Sequence, residues 1–284
     1  MINKILCIIT IIIALWLSSL SHAFLQGKEA HKAYIYPVVK VTHGSFGGSG
    51  TVIFSEENHE GTFSTYVITN HHVISSAISV EEVWSPSLKK DVKREKRQIV
   101  YVEIFKYRDL STPVGALKIE ADIKIYSKDH DLAILKLRSE GKAEHVAKLL
   151  PESMVDSIRV LDATIAVGCS LLYPPLPSIG IITRLNEYIE SLPYHMSSSA
   201  TIFGNSGGAM FLIGTGEFIG IPSRVAVYGW GTAVSHMGFF IPIKRIYEFL
   251  LEENYDFLYD SSKTEEESLN KRIEEIEAES DRDK

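Results

Sequence analysis

The sequence has few cysteines, which excludes a fold held together by disulfides. Cys7 and Cys169 are the two cysteines in 284 residues. Cys7 lies in an apolar leader, so a chain that has lost the leader keeps Cys169 alone and forms no internal disulfide. The fold must therefore depend on a hydrophobic core, for which a content of 45% hydrophobic residues is ordinary. We interpret Cys169 as a small buried side chain rather than as a nucleophile.

The chain also lacks an excess of positive charge. Its net charge is −7 and its pI is about 5.8, which argues against a general nucleic-acid-binding protein. Residues 256–284 hold 11 acidic and 5 basic residues, so the acidity belongs to a tail and the body is nearly neutral. We predict that this tail is solvated and disordered or forms a marginal helix, rather than a coiled-coil partner site. The basic run at 85–97 is interpreted as a solvated loop, with binding of phosphate or anionic lipid as the alternative.

No apolar run reaches the length of about 20 residues that spans a bilayer. The longest is Ile5–Leu20, which has 16 residues and follows Lys4. Ser21-His22-Ala23 then offers small residues at a cleavage site, so residues 1–23 are predicted to be a signal peptide. We expect an exported protein, periplasmic or extracellular. The alternative is an uncleaved segment that anchors the protein to the membrane.

Motifs for cofactors and metals are missing as well. Gly44–Gly50 has four glycines in seven residues, but no Gly-Lys-Ser/Thr follows, which argues against a phosphate loop. His71 and His72 are adjacent and therefore point in different directions, and no H-E-x-x-H pattern or cysteine partner accompanies them. We predict no metal and no cofactor.

What the chain does contain is a series of short segments rich in β-branched and aromatic residues. Their spacing of about 8–12 residues predicts an all-β sandwich or barrel, divided near residue 150. We expect an N-terminal β domain over 24–150 and a C-terminal one over 151–255. The period changes after Pro242, where a closing helix is predicted with Ile243, Ile246, Tyr247, Leu250 and Leu251 on its apolar face.

The segment Gly204-Asn205-Ser206-Gly207-Gly208 lies between two predicted strands. Glycines on both sides of a serine allow a tight loop from which the hydroxyl projects and backbone N–H groups converge. A nucleophile with donors for an oxyanion needs this arrangement, although an ordinary hairpin turn has the same composition. His72 follows a predicted strand and is a candidate general base. Asp131 precedes another strand and is a candidate orienting acid, each with a polar loop or turn as the alternative.

Gly204-x-Ser206-x-Gly208 also matches the nucleophile elbow of α/β-hydrolases. That fold needs a serine, then an acid, then a histidine along the chain, and a helix after the serine. After Ser206 the only histidine is His236, with Glu217 the only acid between them, and a strand follows the serine. We therefore reject the elbow.

Three segments resemble the catalytic motifs of trypsin-like serine peptidases, in particular the HtrA/DegP-like branch: Thr69-Asn70-His71-His72-Val73, Asp131-Leu132-Ala133-Ile134-Leu135-Lys136 and Gly204-Asn205-Ser206-Gly207-Gly208. The histidine motif of that branch reads Thr-Asn-x-His-Val, which selects His72 over His71. The strands Gly216–Ile221 and Gly238–Ile243 also resemble the branch, and the similarity covers Val38–Leu251.

The resemblance implies an all-β, chymotrypsin-like fold of two six-stranded antiparallel β-barrels with the catalytic residues in the cleft between them, completed here by the C-terminal helix. It implies hydrolysis of polypeptide substrates, with Ser206 as nucleophile, His72 as general base and Asp131 as the acid that orients the imidazole. The backbone N–H groups of Gly204 and Ser206 would form the oxyanion hole. The substrate pocket would lie around Ala200 and Ile221, where the absence of an acid predicts a small or medium aliphatic P1 residue.

Some features depart from the branch. With the sequence ending at Lys284, we expect no PDZ domain. The interval from His72 to Asp131 looks longer than usual, and Cys169–Pro177 differs from a more glycine-rich loop. Trimer formation and PDZ-type regulation are therefore not carried over, and no oligomeric state is predicted. The alternative to an endopeptidase is a catalytically silent trypsin-like scaffold that acts as a binding or regulatory protein.

Overall fold

The structure is a computed structural model that describes residues 25–86 and 89–282. The predicted signal peptide at 1–23 lies outside the described residues. The strands are β1 (Val38–His43), β2 (Phe46–Glu57), β3 (Phe63–Thr69), β4 (Ile78–Ser85), β5 (Lys90–Arg97), β6 (Val100–Arg108), β7 (Thr112–Ser127), β8 (Leu132–Leu137), β9 (Lys148–Leu149), β10 (Ala163–Gly168), β11 (Leu176–Ile189), β12 (Leu192–Ser197), β13 (Ala209–Leu212), β14 (Glu217–Tyr228) and β15 (Thr232–Pro242). The α-helices are α1 (Gly27–Ala30), α2 (His71–Ile74), α3 (Ile243–Glu252) and α4 (Glu265–Arg282), with a π-helical turn at His31–Ile35 and 3₁₀ turns at Ser75–Ala77, Glu152–Ser157, Ser170–Leu172 and Asp256–Leu258.

Six strands of the N-terminal half close into an antiparallel barrel in the order β1-β2-β3-β8-β7-β6. Successive residues of a strand point to opposite faces, so every second side chain of a strand fills the barrel interior. Val39 and Val41 of β1 belong to the barrel interior, whereas Val38 packs on the outside. On β3 and β8, the outward residues Tyr66, Ile68 and Ile134 join a second core that continues into the C-terminal half.

The C-terminal half pairs in the order β13-β10-β11-β12-β15-β14, and β13 also pairs with β14. The last pairing is short, with Met210 opposite Gly220 and Phe211 opposite Phe218, but it completes a ring of six antiparallel strands. β9 adds to β14 in parallel, so a strand that precedes residue 150 belongs to the second sheet. The predicted all-β fold is confirmed, and so is its closing helix, α3.

From Phe46 onward, the glycine-rich stretch is part of β2. Residues 46–51 pair with β1 along its whole length. A Cβ atom on Gly48 would lie 2.8 Å from a methyl group of Val73 and 2.9 Å from the carbonyl oxygen of Ser206. Glycine is needed here because β2 approaches the loop of the second barrel at backbone distance.

Two segments differ from the sequence-based prediction near the N-terminal barrel. The β-branched and aromatic composition of residues 33–42 predicts a strand, but Ala33–Ile35 belongs to the π-helical turn. The turn ends at Ile35, two residues before Pro37, which has no backbone N–H to continue a helix. Tyr34 packs edge-on against Phe211 of the second barrel, with ring centroids 5.6 Å apart. Residues 90–97 of the basic run form a strand, β5, which pairs with β4 in an exposed two-stranded sheet outside the barrel.

The C-terminal segment, predicted to be solvated and disordered or a marginal helix, contains a helix whose start packs on the first barrel. Helix α3 buries Ile243, Ile246 and Leu250 as expected, but Leu251 is 55% exposed. Phe257 is buried against Phe54 and Tyr66. Beyond it, α4 begins at Glu265, whose carboxylate accepts hydrogen bonds from Tyr66 at 2.5 Å and Lys136 at 2.6 Å. Contacts with the first barrel therefore stabilise the start of a helix whose own apolar face is narrow.

Within the described part of the chain, no helix combines the length and apolar character needed to cross a membrane.

Candidate active site

His72 and Asp131 are brought together at one edge of the first barrel. His72 lies in α2, directly after β3, and Asp131 lies in the turn before β8, which pairs with β3. His72 Nδ1 lies 3.0 Å from Oδ1 and 2.9 Å from Oδ2 of Asp131, and the His72 backbone N–H donates to Oδ1 at 3.1 Å. The strand pairing thus places the imidazole against the carboxylate and fixes which ring nitrogen faces it.

The backbone at Asp131 has an unusual conformation. Its φ is 55°, in the left-handed region that aspartate tolerates better than most residues. Asn70 is fully buried, and its side-chain amide donates to the Asp131 carbonyl oxygen at 2.8 Å. Asn70 therefore holds the turn from which the carboxylate points at His72.

A third residue contacts the carboxylate from the second barrel. Ser223 Oγ donates to Asp131 Oδ2 at 2.7 Å. Burial raises the pKa of the Asp131 carboxyl. The hydrogen bond and charge of His72, the bond from Ser223 and the His72 amide outweigh that effect, so the pKa lies below its ordinary value of 3.8. Asp131 is consequently a carboxylate at neutral pH.

Ser206 lies in a tight loop of the second barrel, and this loop contacts the first barrel. Gly204 has a φ of +96° and Gly207 a φ of +84°, conformations that favour glycine. Asn205 is buried, and its side-chain oxygen accepts hydrogen bonds from Ser170 Oγ at 2.8 Å and from the Ile202 amide at 3.0 Å. The Asn205 side chain thus fixes the loop from inside.

The loop leaves two amides available. Among the described residues, the N–H groups of Gly204 and Ser206 donate to no protein acceptor. The carbonyl groups of the same two peptides are occupied, because Phe203 accepts from the Leu171 amide at 2.8 Å and Asn205 accepts from the Gly208 amide at 2.9 Å. Free amides next to a serine hydroxyl are what an oxyanion hole requires.

Ser206 and His72 line the same cleft but are not hydrogen-bonded to each other in the described residues. Ser206 Oγ instead donates to the Ser223 carbonyl oxygen at 3.4 Å, a long and weak contact. Hydrogen bonds between a catalytic serine and its histidine are often long in the absence of substrate and shorten when substrate binds.

The cleft has a volume of about 370 Å³ and is lined by His72, Thr201, Ile202, Phe203, Asn205, Ser206, Pro222, Ser223, Arg224, Val225 and Val227. Neither Ala200 nor Ile221 is among them. Ala200 is exposed, and its amide donates to Ser178 Oγ at 2.8 Å. Ile221 is fully buried and pairs with Ile241. The cleft wall is formed by their immediate neighbours, Thr201 and Pro222, and the role of Ala200 and Ile221 in substrate binding stays a prediction.

Two other titratable groups, His71 and Cys169, do not line the cleft. His71 stacks on Tyr126 with ring centroids 5.1 Å apart, and burial lowers its pKa. Cys169 is buried, and burial raises the pKa of its thiol to about 12, as expected for an inert side chain. Over residues 25–86 and 89–282, no cluster of three histidine, cysteine or acidic side chains could hold a metal ion. A larger cavity, about 600 Å³ beside Tyr36 and His145, shares no residue with the cleft that His72 and Ser206 line.

Sequence reasoning missed the supporting residues Asn70 and Ser223. Asn70 lies inside the histidine motif, but hydrophobic periodicity does not reveal that its side chain holds the Asp131 turn. Ser223 lies on a strand of the other barrel and carries no local motif, so only the three-dimensional structure shows its contact with Asp131.

Comparisons with known proteins give a family model and several solved structures. The model of the trypsin-like peptidase domain matches residues 48–221. No protein with curated annotation matches the sequence. The HtrA-type protease AlgW with a tripeptide superposes with a TM-score of 0.57 at 20% identity, over 82% of this chain. This chain spans 64% of the length of that AlgW chain.

Two shorter structures match over nearly their whole length. The MamO protease domain from Magnetospirillum magneticum, in its apo form, has a TM-score of 0.52 at 19% identity, covering 77% of this chain and 97% of that one. Deg5 has a TM-score of 0.54 at 20% identity, covering 80% of this chain and 97% of that one. At these identities the similarity shows a shared fold.

Proposed function

The chain belongs to the trypsin-like peptidase family, and on that premise we propose that it is a serine endopeptidase acting on exported or misfolded polypeptides. The observation that carries the proposal is the His72–Asp131 contact beside Ser206 in one cleft. A histidine oriented by a buried carboxylate next to a serine flanked by free amides is suited to acyl transfer.

In the proposed reaction, His72 Nε2 takes the Ser206 proton as Oγ attacks the scissile carbonyl. The amides of Gly204 and Ser206 stabilise the negative charge that develops on the carbonyl oxygen. His72 then protonates the leaving amine, which leaves an acyl group on Ser206. Water, activated by the same imidazole, hydrolyses the acyl-enzyme. Asp131 stays ionised throughout and stabilises the imidazolium.

The lining of the cleft supports a preference for small or medium aliphatic P1 residues. Ile202, Val225 and Val227 contribute apolar surface, and the lining contains no acidic side chain to pair with an arginine or lysine. Arg224 is held by Glu190 at 2.6 Å. Cleavage mapping of an unfolded protein should give mainly alanine, valine or similar residues at P1, and a predominance of basic P1 residues would refute this specificity.

The reaction is tested by hydrolysis of an unfolded protein substrate. Wild type should cleave it, Ser206→Ala should lose cleavage by at least about 10³-fold, and the exposed Ser261→Ala should match wild type. Undiminished cleavage by Ser206→Ala would contradict the proposal.

One observation favours a second candidate, the silent scaffold. Ser206 Oγ contacts the Ser223 carbonyl instead of His72 in the described residues. A protein that keeps this arrangement would bind polypeptides without cleaving them. Binding of an unfolded polypeptide without hydrolysis by wild type would select this candidate.

Export is proposed from residues 1–23, with a periplasmic or extracellular location and membrane anchoring as the alternative for an uncleaved leader. The N-terminal sequence of the protein isolated from its native cell distinguishes the two. A start near Phe24 supports cleavage, and a start at Met1 in the membrane fraction supports an anchor. Full-length protein in the cytoplasm would contradict export.

A further inference from the structure

Ser49 of β2 is fully buried and connects the first barrel to the loop that carries Ser206. Its backbone N–H donates to the Ser206 carbonyl oxygen at 2.8 Å. Its Oγ donates to the Gly204 carbonyl oxygen at 2.6 Å and accepts from the Cys169 amide at 2.7 Å. Its own carbonyl oxygen accepts from Thr69 Oγ1 at 2.6 Å. The hydrogen bonds to Cys169 and Thr69 are buried, and the one to Gly204 is partly buried.

The hydrogen bonds of Ser49 act on specific peptide planes. The two candidate oxyanion donors belong to the peptides 203–204 and 205–206. The Ser49 hydroxyl holds the Gly204 carbonyl group, which belongs to the peptide between them. The Ser49 amide holds the peptide that follows Ser206. Because a peptide unit is planar, fixing these carbonyl groups limits the rotation of both donor-bearing peptides.

The same hydroxyl also reaches the segment that orients Phe203. The Cys169 amide, which donates to Ser49 Oγ, begins the turn whose Leu171 amide holds the Phe203 carbonyl at 2.8 Å. That carbonyl group is part of the peptide that bears the Gly204 amide. Ser49 therefore constrains the first donor from both sides.

The surrounding glycines leave room for these contacts. A Cβ atom on Gly207 would lie 2.1 Å from the Ser49 carbonyl oxygen, and one on Gly168 would lie 3.1 Å from Ser49 Oγ. No larger side chain fits at Gly207 without moving the backbone. The close approach explains why the two positions that face Ser49, 168 and 207, are glycines.

We infer that Ser49 is a positioning residue for the oxyanion hole, an inference that rests on the proposed peptidase activity. Its hydroxyl is a structural link across the two barrels that keeps the amides of Gly204 and Ser206 directed at the same point. Without it, the partly buried Gly204 carbonyl and the buried Cys169 amide lose their partner, and the loop gains conformations in which the donors point elsewhere.

Ser49→Ala tests the inference, with Ser55→Ala as the matched control. Ser55 lies on the same strand, is also buried and makes two hydrogen bonds, with Thr65 Oγ1 at 2.8 Å and the Ala143 amide at 2.9 Å, but it is remote from the cleft. We expect Ser49→Ala to lower kcat by about 10- to 100-fold with KM within about threefold of wild type. Ser55→Ala should leave kcat within about twofold of wild type.

Three readouts separate positioning from a general loss of structure. Phosphonylation of Ser206 by a fluorophosphonate passes through an oxyanion and should slow by a similar factor, while the shape of the kcat/KM pH profile stays unchanged because His72 and Asp131 are untouched. Hydrogen exchange at the hydrogen-bonded amides around the loop, those of Leu171, Asn205 and Gly208, should accelerate in Ser49→Ala and not in Ser55→Ala. Equal kcat, labelling rate and exchange in the two variants would overturn the inference.

A variant that keeps the size of the side chain covers the case in which Ser49→Ala does not fold. Ser49→Cys places a weaker donor at the same point and should lower kcat to a value between those of Ser49→Ala and wild type. An unchanged kcat in Ser49→Cys would also overturn the inference. If wild type is not labelled at all, the proposed activity fails, whereas the exchange comparison still reports whether Ser49 holds the loop.

Discussion

Ser223 donates from its hydroxyl to the same Asp131 carboxylate that faces His72, at 2.7 Å. Ser223 lies on β14 of the second barrel, and Asp131 precedes β8 of the first. This hydrogen bond therefore joins the two barrels at the point where the imidazole is oriented. The orientation of Asp131 and His72 therefore depends on how the barrel that carries Ser206 packs against the first barrel.

We expect Ser223→Ala to lower kcat by about tenfold. A hydrogen bond to a charged group contributes about 1.5–3 kcal/mol, and part of that is expressed in the transition state, where the imidazolium forms beside Asp131. The measurement is steady-state hydrolysis of a peptide substrate. Ser235→Ala on the adjacent strand β15 serves as control, and equal kcat in both variants would remove Ser223 from the account.

Asp131→Asn should lower kcat by about 10³- to 10⁴-fold while the protein remains folded. The amide cannot stabilise the imidazolium and can favour the wrong tautomer of His72; the size of the effect follows the Ser-His-Asp template. Asp129→Asn, an exposed change in the same turn, should retain wild-type kcat. Activity of Asp131→Asn within tenfold of wild type would contradict a role for this carboxylate.

Asp131 should also contribute to acid sensitivity. Its pKa in the folded protein lies below the ordinary value of 3.8, so its ionised form stabilises the fold above that pH. This contribution is lost as the pH falls through the lower, folded-state pKa. Asp131→Asn should therefore lose less unfolding free energy than wild type between about pH 5 and about pH 2, as measured by urea unfolding. Equal pH dependence in the two proteins would show that other carboxylates govern acid unfolding.

Glu265→Gln should destabilise the attachment of α4. Glu265 is partly buried between Tyr66 and Lys136, and losing its charge weakens two hydrogen bonds and leaves the lysine without its partner. Because the Glu265 and Lys136 side chains retain some solvent contact, we expect the unfolding free energy to fall by about 1–3 kcal/mol, or α4 to unfold earlier than the rest. Glu274→Gln on the exposed part of the same helix is the control. Identical urea midpoints and identical exchange in α4 would contradict this contact.

Local sequence patterns were sufficient to predict the all-β class and helix α3, and the motif resemblance selected His72 and Ser206, which line one cleft. His72 and Asp131 are each attached to a strand end, and pairing of β3 with β8 places those ends together. The glycines of β2 were not predictable as strand residues, because their need for close packing arises from Ser206 and Val73, far along the chain or on another element.

Tertiary contacts also explain why β5 and the start of α4 differ from what the sequence predicts. The basic strand β5 is paired only by β4 among the described residues, and its composition resembles that of a solvated loop. The start of α4 depends on Tyr66 and Lys136, more than 100 positions earlier. Ser49 and Ser223 acquire their roles from groups on the opposite barrel, so no sequence window contains the information.

Activation of Ser206 is the central claim, and covalent labelling of the full chain with a fluorophosphonate tests it most directly. Peptide mapping by mass spectrometry should find one adduct, on Ser206. The adduct should be absent from Ser206→Ala and strongly reduced in His72→Ala, because the imidazole removes the proton from the hydroxyl. An unlabelled wild-type protein, or a Ser206→Ala variant labelled as fully as wild type, would contradict the account.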